Sequence, residues 1–275
     1  MNRIIYFWVL LGWLSCGALF GQKNIVILHT NDTHSRIEPL PETDKYNAGQ
    51  GGVIYRDGYV KEVRSENKNV LLFDAGDFLQ GTPYFNMFKG RVEIEAMNII
   101  GYDAATLGNH EFDYGLDALK AAIERAKFPI VSSNYDFSET SLAGMIERYV
   151  VFERDGVKIG VIGINVRPNG LISSANYGNM KFKDPTKVAN EMASFLKTSE
   201  SCDMVVCLSH LGYTSDLKLA ENTRDIDIII GGHSHTFMKE PKKVMNAAGK
   251  WVTVTQTSGK GAMVGRLDIR LKEAE

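Results

Sequence analysis

The chain has 275 residues, of which 31 are Lys or Arg and 33 are Asp or Glu, and 44% are hydrophobic. This composition is typical of a globular domain, and the charged fraction of 23% is too low and too balanced for a disordered chain. The formal charge of −2 gives no electrostatic basis for a nucleic-acid partner. Cys202 and Cys207 lie roughly 16 Å apart along one extended segment, too far for a disulfide bond, so we expect both to be thiols.

The N-terminus has the pattern of an export signal. Arg3 precedes an uncharged, mostly apolar run over residues 4–20, which ends in small residues before Gln22. This order is typical of a secretory signal peptide, so we expect residues 1–21 to be cleaved and the mature protein to be periplasmic or extracellular, with no stable membrane span. A membrane anchor is the alternative, because the run reaches the lower length limit for a span. Cys16 offers a second alternative, as a weak match to a bacterial lipidation site.

Residues 22–275 fit one large α/β domain, in which short β-rich runs alternate with helical periods. The predicted strands are 25–29, 70–73, 130–132, 157–164, 204–209, 226–230, 251–256 and 265–271. The predicted helices are 52–64, 91–100, 116–127 and 185–198. Asp184 and Pro185 mark the start of the last helix as its cap and first turn.

The strands also indicate how the domain is layered. Continuous apolar runs such as Ile228-Ile229-Ile230 are buried on both faces, which favours a layered α/β sandwich. The two longest irregular stretches, 38–51 and 165–183, are expected to be loops over a site.

Five apolar segments are each followed by a turn that carries Asp, Asn or His. These turns are Thr30-Asn31-Asp32-Thr33-His34, Asp74-Ala75-Gly76-Asp77, Gly108-Asn109-His110-Glu111-Phe112-Asp113, Ser209-His210 and Gly231-Gly232-His233-Ser234-His235. Five of the six histidines lie in them. Because ligands of α/β sheets gather beyond the carboxyl ends of strands, we expect these side chains to converge.

The residue types in these turns indicate a metal centre. Asp, His and Asn without thiolates form a ligand set that suits Zn²⁺, Mn²⁺ or iron. The candidates are about twice as many as one ion needs, which favours two divalent ions ~3.5–4 Å apart. Asp77, which follows a glycine, is the best placed carboxylate to bridge them. Glycines beside Asp77, Asn109 and His233 let the backbone approach the cluster closely.

Each member of this set has a structural explanation when taken alone. A single strand-end Asp, Asn or His is usually a turn, capping or packing residue, and only the joint pattern indicates a site. His29, inside a predicted strand, is expected to pack or to orient a neighbour. Gly259-Lys260-Gly261 lacks the helix that follows a phosphate loop, so we expect a turn there.

The order of these motifs resembles that of the calcineurin-like metallophosphoesterases. Thr30-Asn31-Asp32-Thr33-His34, Gly76-Asp77-Phe78-Leu79-Gln80-Gly81-Thr82 and Asn109-His110-Glu111-Phe112-Asp113 resemble the 5′-nucleotidase branch in particular. The resemblance covers residues 24–271. It implies a four-layer α/β/β/α sandwich with two central mixed sheets and a dinuclear metal site at the strand C-terminal ends. It also implies that 22–275 is a metallophosphatase catalytic domain.

The resemblance assigns roles residue by residue. The first metal would be held by Asp32, His34, Asp77 and His235, and the second by Asp77, Asn109, His210 and His233. His110 and Asp113 match the catalytic dyad of the family. In that role His110 donates a proton or hydrogen bond to the substrate, while Asp113 fixes its tautomer.

These roles imply an exported two-metal phosphate-ester hydrolase, foremost a 5′-nucleotidase-type phosphomonoesterase that uses a metal-activated water. The alternatives are a phosphodiesterase acting on cyclic nucleotides or nucleotide sugars, and a phosphatase for other small phosphate esters. A non-catalytic metal-binding partner subunit is a further alternative, which the intact His110 and Asp113 pair disfavours.

Nucleobase recognition is the part of the resemblance that this sequence lacks. Members of the branch usually carry a second domain that holds the base between aromatic rings. The sequence does not contain that domain, so we expect a separately encoded substrate-binding partner. Phe78, Tyr84, Phe85 or Tyr177 could form a partial aromatic platform within this chain.

Overall fold

The computed structural model describes residues 23–271, so the predicted signal peptide at 1–21 lies outside the described residues. Within 23–271 no helix is long and apolar enough to cross a membrane. The strands are β1 (Lys23–Thr30), β2 (Val70–Asp74), β3 (Ala104–Thr106), β4 (Ile130–Val131), β5 (Tyr135–Asp136), β6 (Tyr149–Arg154), β7 (Val157–Asn165), β8 (Lys181–Phe182), β9 (Met204–His210), β10 (Ile228–Gly231), β11 (Lys242–Met245), β12 (Trp251–Thr255) and β13 (Gly265–Leu271). The α-helices are α1 (Val53–Glu66), α2 (Pro83–Phe88), α3 (Arg91–Ile100), α4 (Gly115–Ile123), α5 (Ser174–Tyr177), α6 (Pro185–Thr198) and α7 (Tyr213–Asn222), and a 3-10 turn spans His110–Phe112.

Two mixed sheets form the centre of the molecule. The first has the order β13-β1-β2-β3-β4, with β1 to β4 parallel and β13 antiparallel to β1. The second has the order β11-β12-β10-β9-β7-β6, with its four inner strands parallel and both edge strands antiparallel. The parallel strands carry their carboxyl ends to one edge of each sheet.

Alternating side chains divide the core into three layers of packing. Ile27 of β1 and Val206 of β9 belong to the core between the two sheets. Leu28 faces the other way, into a core shared with α1, α3 and α4, and Cys207 faces α6 and α7. The arrangement is therefore helices, sheet, sheet, helices, which confirms the predicted four-layer sandwich. Cys202 and Cys207 are free, buried thiols, as expected.

The predicted elements agree best where local signals are strongest. The elements at 91–100, 185–198 and 265–271 have their predicted bounds. Asp184 caps α6 by accepting a hydrogen bond from the Lys187 amide at 2.8 Å. The stretch 38–51 contains no helix or strand, while α5 and β8 form within 165–183.

Several short elements were not predicted, and α7 and β6 were missed for different reasons. Helix α7 buries only Asp216, Leu219 and Ala220, so it carries no wide apolar stripe. Strand β6 pairs with β7 through a two-residue turn in which Asp155 and Gly156 have φ of 55° and 67°. An Asp-Gly pair is a strong signal for such a hairpin turn, and the sequence prediction did not use it.

His29 lies between the sheets, fully buried. Its Nε2 is 3.4 Å from Thr255 Oγ1, and its Nδ1 has no hydrogen-bond partner among residues 23–271. A Cβ on Gly265 would come within 2.1 Å of His29 Nε2, so the imidazole fills the space beside that glycine. The expectation that His29 packs is confirmed.

We predict that His29 makes the fold sensitive to acid. Burial lowers the pKa of His29 from 6.5 to about 4, so protons bind the unfolded chain more readily between these values. The contribution of neutral His29 to the free energy of unfolding is therefore fully present above pH 6.5. It falls by ~2–3 kcal/mol as the pH is lowered towards 4. The free energy of unfolding can be measured with urea, in the presence of chelator, at pH 7.5 and at pH 4.5. Between these pH values the wild type should lose ~2–3 kcal/mol more stability than His29→Gln does. An equal loss in both proteins would contradict the prediction.

Candidate metal centre

Five parallel strands of the two sheets deliver the candidate residues to one place. Asp32 and His34 follow β1, Asp77 follows β2, Asn109 follows β3, His210 ends β9, and His233 and His235 follow β10. The structure brings six of them into two groups, within which the potential ligand atoms lie no more than 4.8 Å apart. The outer group is Asp32, His34 and His235, and the inner group is Asp77, His210 and His233.

Asn109 belongs beside the inner group, because its Oδ1 lies 3.0 Å from His233 Nδ1. Asp77 was predicted to serve both metals, and its Oδ2 lies 3.0 Å from His210 Nε2. The other oxygen, Oδ1, accepts a hydrogen bond from the His110 amide at 2.8 Å. The sharing of Asp77 between two ions stays a prediction.

The inner group requires a positive charge. His210 is fully buried, and its Nδ1 donates to the Ala75 carbonyl oxygen at 2.7 Å. Its Nε2 therefore faces Asp77 and has no hydrogen-bond partner among the described residues. Burial disfavours the imidazolium, but the carboxylates of Asp77 and Asp32 outweigh it and raise the pKa of His210 to about 10. A proton or a metal ion at Nε2 would supply this charge.

The outer group also brings histidine nitrogens close to a carboxylate, but its histidine side chains are more exposed to solvent than His210. The Nε2 atoms of His34 and His235 face each other at 3.0 Å, and Asp32 Oδ1 lies 3.3 Å from His235 Nε2. Two imidazole nitrogens and a carboxylate that point at one spot are a donor set for a divalent transition metal. The residues present therefore fit the two-metal site that the sequence predicted.

Backbone strain is concentrated in these turns. Five of the candidate ligands have left-handed φ values, which are 48° for Asp32, 47° for His34, 56° for Asp77, 70° for His233 and 49° for His235. Such residues cost ~1–3 kcal/mol each and persist only where the surroundings fix them. Here the turns fix one another: the amides of Asp32 and His34 donate to the carbonyl oxygens of Gly76 and Asp77 at 2.8 and 3.0 Å.

Glu111 is a supporting residue that the sequence reasoning missed. It is buried and accepts hydrogen bonds from the amides of Asp77 and Leu79, each at 3.0 Å, and from the amide of Gly108. Burial and the Asp77 carboxylate raise its pKa to about 8. Glu111 thereby ties the turn after β2 to the turn after β3. The position of Glu111 within the Gly108–Asp113 motif was the sequence signal that could have indicated this supporting role.

Asn31 and Gln256 support the remaining turns. Asn31 Nδ2 donates to Asp32 Oδ2 at 2.6 Å, and its Oδ1 accepts from the Thr257 amide at 2.8 Å. Gln256 Nε2 donates to the Gly232 carbonyl oxygen at 2.6 Å, and its Oε1 accepts from Ser234 Oγ at 3.0 Å. Gln256 is a polar residue at the end of a predicted strand. The pattern that identified the other turns, a polar residue after an apolar strand, therefore also applies to Gln256.

The predicted dyad is formed. His110 Nδ1 lies 2.8 Å from Asp113 Oδ2, and both side chains are about one-third exposed, at 34% and 36%. The hydrogen bond to Asp113 raises the pKa of His110, while burial opposes the rise. The His110 ring lies 5.3 Å from the His34 ring between centroids. The dyad therefore sits on the open side of the outer group.

Both predicted loops reach the site. Asn176, in 165–183, donates from Nδ2 to the Asp113 carbonyl oxygen at 3.1 Å. The 38–51 loop lines a 400 Å³ cleft together with His235 and Lys260. Lys260 also donates its amide to the Asp32 carbonyl oxygen at 2.6 Å. Residues 259–261 form a bend and turn, as expected.

Two of the four aromatic residues considered for a partial platform are unavailable for stacking. Phe78 is 1% exposed and Phe85 is 2% exposed, because both rings pack in the core under α3, where they can stack on no substrate. Tyr84 lines a surface groove of 310 Å³ and donates its hydroxyl to Glu38 at 3.0 Å. Tyr177 is partly buried against the same core as Phe78.

Comparison with known proteins relates most of the described region to one group. A family model described as calcineurin-like phosphoesterase matches residues 25–237. The snake venom 5′-nucleotidase of Crotalus adamanteus is 33% identical over 277 residues, which cover 92% of this chain and 47% of that protein.

Two solved structures are similar at the level of the fold and of the sequence. The 5′-nucleotidase precursor from Thermus thermophilus has a TM-score of 0.84 and 35% identity, over 90% of this chain and 51% of that one. The NAD nucleotidase of Haemophilus influenzae has a TM-score of 0.83 and 32% identity, over 92% and 48%. The chain spans about half the length of the curated relatives it matches.

We predict that Gly108 is essential for metal binding. A Cβ at this position would lie 2.1 Å from Asp77 Oδ1 and 2.6 Å from His210 Nε2, so Gly108→Ala must displace the inner group. We expect metal affinity to fall by at least ~10–100-fold, the range seen when the support of metal ligands is disturbed. Competition against a fluorescent chelator measures it.

The matched control is Gly58→Ala in α1, where an added Cβ meets nothing within 4 Å. This variant should keep wild-type affinity and unfold with a free energy ~0.5–1 kcal/mol higher, because alanine favours the helix. Wild-type affinity in Gly108→Ala would show that the inner group is not the metal site.

Proposed function

This chain belongs to the calcineurin-like phosphoesterase family, and we propose on that premise that it is a two-metal phosphate-ester hydrolase of the 5′-nucleotidase type. The observation that carries the proposal is the meeting of two ligand groups with a solvent-accessible His–Asp pair at one rim of both sheets. The proposed substrates are nucleoside monophosphates, from which the enzyme releases inorganic phosphate.

The proposed ligand assignment uses all seven candidate side chains. The first ion would be held by Asp32, His34, Asp77 and His235, and the second by Asp77, Asn109, His210 and His233. When bound, such ions lower the pKa of a coordinated water to roughly 7 and neutralise the oxygens of the phosphate. The orphaned Nε2 of His210 beside Asp77 supports this assignment.

His110 supplies the proton in the proposed reaction. Its Nδ1–H is held by Asp113 at 2.8 Å, so the ring presents Nε2 as the remaining donor. The hydrogen bond to Asp113 raises the pKa of His110 and so favours the imidazolium form. In that form it donates to the phosphate or to the leaving oxygen, which prevents charge from accumulating on the departing alcohol.

The export signal and the domain division are part of the proposal. The charged, apolar and small-residue pattern of residues 1–21 supports a cleaved signal peptide, with residues 22–275 as the catalytic domain. An enzyme so directed acts in the periplasm or outside the cell.

A second candidate reaction is hydrolysis of a phosphodiester or of the diphosphate bridge in a dinucleotide. The similarity to NAD nucleotidase favours it. The 400 Å³ cleft beside His235, which includes Lys45, Tyr46 and Lys260, has room for a second substituent on the phosphate. A screen of metal-loaded protein against p-nitrophenyl phosphate, its bis ester and a nucleotide panel distinguishes the two reactions.

We predict that substitutions of Asp77 and of His110 have different effects on metal content and turnover. Asp77→Asn should lose both metal and turnover, since a neutral amide bridges two cations poorly. His110→Ala should keep a metal content near that of wild type, while kcat falls by ~10²–10⁴, the usual contribution of a general acid. Elemental analysis and steady-state kinetics on p-nitrophenyl phosphate measure both. Equal metal loss in the two variants would mean that His110 is a ligand rather than a proton donor.

We also predict weak discrimination among nucleobases by this chain on its own. We propose that the base is held mainly by a second substrate-binding domain that corresponds to the half of the relatives outside the match. Base stacking contributes ~1–3 kcal/mol, so KM should be roughly 10–100-fold higher without that domain. The values of kcat/KM for AMP, GMP, CMP and UMP should be similar.

Steady-state kinetics with and without an added substrate-binding half tests this. Addition should lower KM and leave the metal content unchanged. A micromolar KM with a strong preference for one base in the isolated chain would show that specificity resides here.

A further inference from the structure

Arg56 is a buried cation without a direct counter-charge. It lies in α1 with 6% exposure, and no carboxylate among residues 23–271 lies within ion-pair distance of it. Its Nη1 is 3.5 Å from the Tyr102 hydroxyl, while Nε and Nη2 have no hydrogen-bond partner in the described part of the chain. Arginine does not deprotonate in proteins, and an unpaired buried charge is strongly destabilising. The free Nε and Nη2 form one edge of the guanidinium, the edge that recognises an oxygen acceptor.

Glu93 is a buried carboxyl group that lines a small cavity together with Arg56. It lies in the first turn of α3 with 3% exposure, and its Oε1 accepts a hydrogen bond from the Ser35 hydroxyl. Its Oε2 has no partner among the residues described. Ser35 in turn lies 2.6 Å from Thr82 Oγ1 between hydroxyl oxygens. Glu93 is thus anchored on one oxygen and open on the other.

The open atoms of both residues belong to side chains that line the same small cavity. Arg56, Glu93 and Arg36, whose Nε also lacks a partner within 23–271, lie in its wall with Ser35. Its volume is about 10 Å³, close to the minimum that a single water needs. A water in such a space satisfies donors and acceptors that are too far apart to meet directly.

We propose that one ordered water bridges Arg56 to Glu93 in this cavity, and that the bridged pair positions the segment 30–35, which carries Asp32 and His34. In this arrangement Arg56 supports one end of that segment through Tyr102 and the other end through the water. At one end the Tyr102 hydroxyl lies 2.8 Å from Thr30 Oγ1, which donates to Asp74 at 2.5 Å. At the other end the water and Glu93 lead to Ser35. The segment is clamped at its first and last residues by one guanidinium.

The segment needs such a clamp because its backbone is strained. Asp32, His34 and Ser35 have φ of 48°, 47° and 55°, conformations that non-glycine residues keep only where surrounding contacts impose them. Neither Arg56 nor Glu93 contacts a candidate ligand, so both are positioning residues. The inference rests on the proposed role of Asp32 and His34 as ligands of one ion.

The test compares metal affinity in purified variants. Glu93→Ala removes the anchor on Ser35, Arg56→Met removes the cation, and Glu93→Gln keeps an acceptor for Ser35 but removes the charge. The matched control is Glu95→Gln, on the same helix with its side chain 49% exposed. Calorimetric titration with Zn²⁺ or Mn²⁺ gives the two dissociation constants, and thermal unfolding in chelator gives the stability of the metal-free protein.

We expect the dissociation constant of one of the two ions to rise by ~10–100-fold in Glu93→Ala and Arg56→Met. Glu93→Gln should show a smaller rise, and Glu95→Gln none. If Glu93→Ala does not fold, Glu93→Gln and Arg56→Met decide the question. Wild-type affinities in folded variants that have lost only thermal stability would overturn the positioning role.

In a high-resolution crystal structure we expect a water within hydrogen-bond distance of both Arg56 and Glu93. A direct contact between the two side chains, or a dry cavity, would overturn the bridge.

The same titration separates this inference from the proposed function. Wild-type protein that binds fewer than two ions overturns the two-metal proposal and the inference with it. If the wild-type protein binds two ions and the variants bind them equally well, the inference is overturned and the two-metal proposal stands.

Discussion

The contact on which the site depends is that between the buried carboxylate of Asp77 and the turns around it. Its two oxygens face the His110 amide and His210 Nε2, its amide is held by Glu111, and its carbonyl oxygen accepts from the His34 amide. One residue thus joins the ends of β1, β2, β3 and β9. The carboxylate is buried, so the cluster needs a compensating cation beside it.

The fold concentrates unfavourable features at this rim because a metal centre can use them. Two sheets place their parallel strand ends together, and five of the candidate ligands adopt left-handed backbone that aims their side chains inward. The combined strain is on the order of the net stability of a whole domain. Gly108 and Gly232, where a Cβ would lie 2.1 Å from Asp77 Oδ1 and 2.7 Å from the Ala75 carbonyl oxygen, allow the turns to approach. The buried carboxylates Asp74, Glu93 and Glu111 then stabilise the turns through hydrogen bonds.

Sequence reasoning found the ligand turns because each follows an apolar strand and breaks its pattern with a polar group. The same reasoning missed Glu111 and Glu93, because their hydrogen bonds to backbone amides and to Ser35 are tertiary contacts that no local pattern reveals. Phe78 was misjudged because its position in a loop hides that its ring enters the core. Local signals set the bounds of α6 and β13, and the Asp155-Gly156 turn was an unused local signal for β6. Helix α7 depends instead on packing against the rest of the molecule.

The central claim is that the two ligand groups together hold two ions that share Asp77. Anomalous diffraction from crystals of the metal-loaded protein, recorded at the absorption edge of the bound metal, tests it most directly. We expect two peaks ~3.5–4 Å apart, one at each group, with Asp77 in contact with both. A single peak, or peaks away from Asp77, would contradict it.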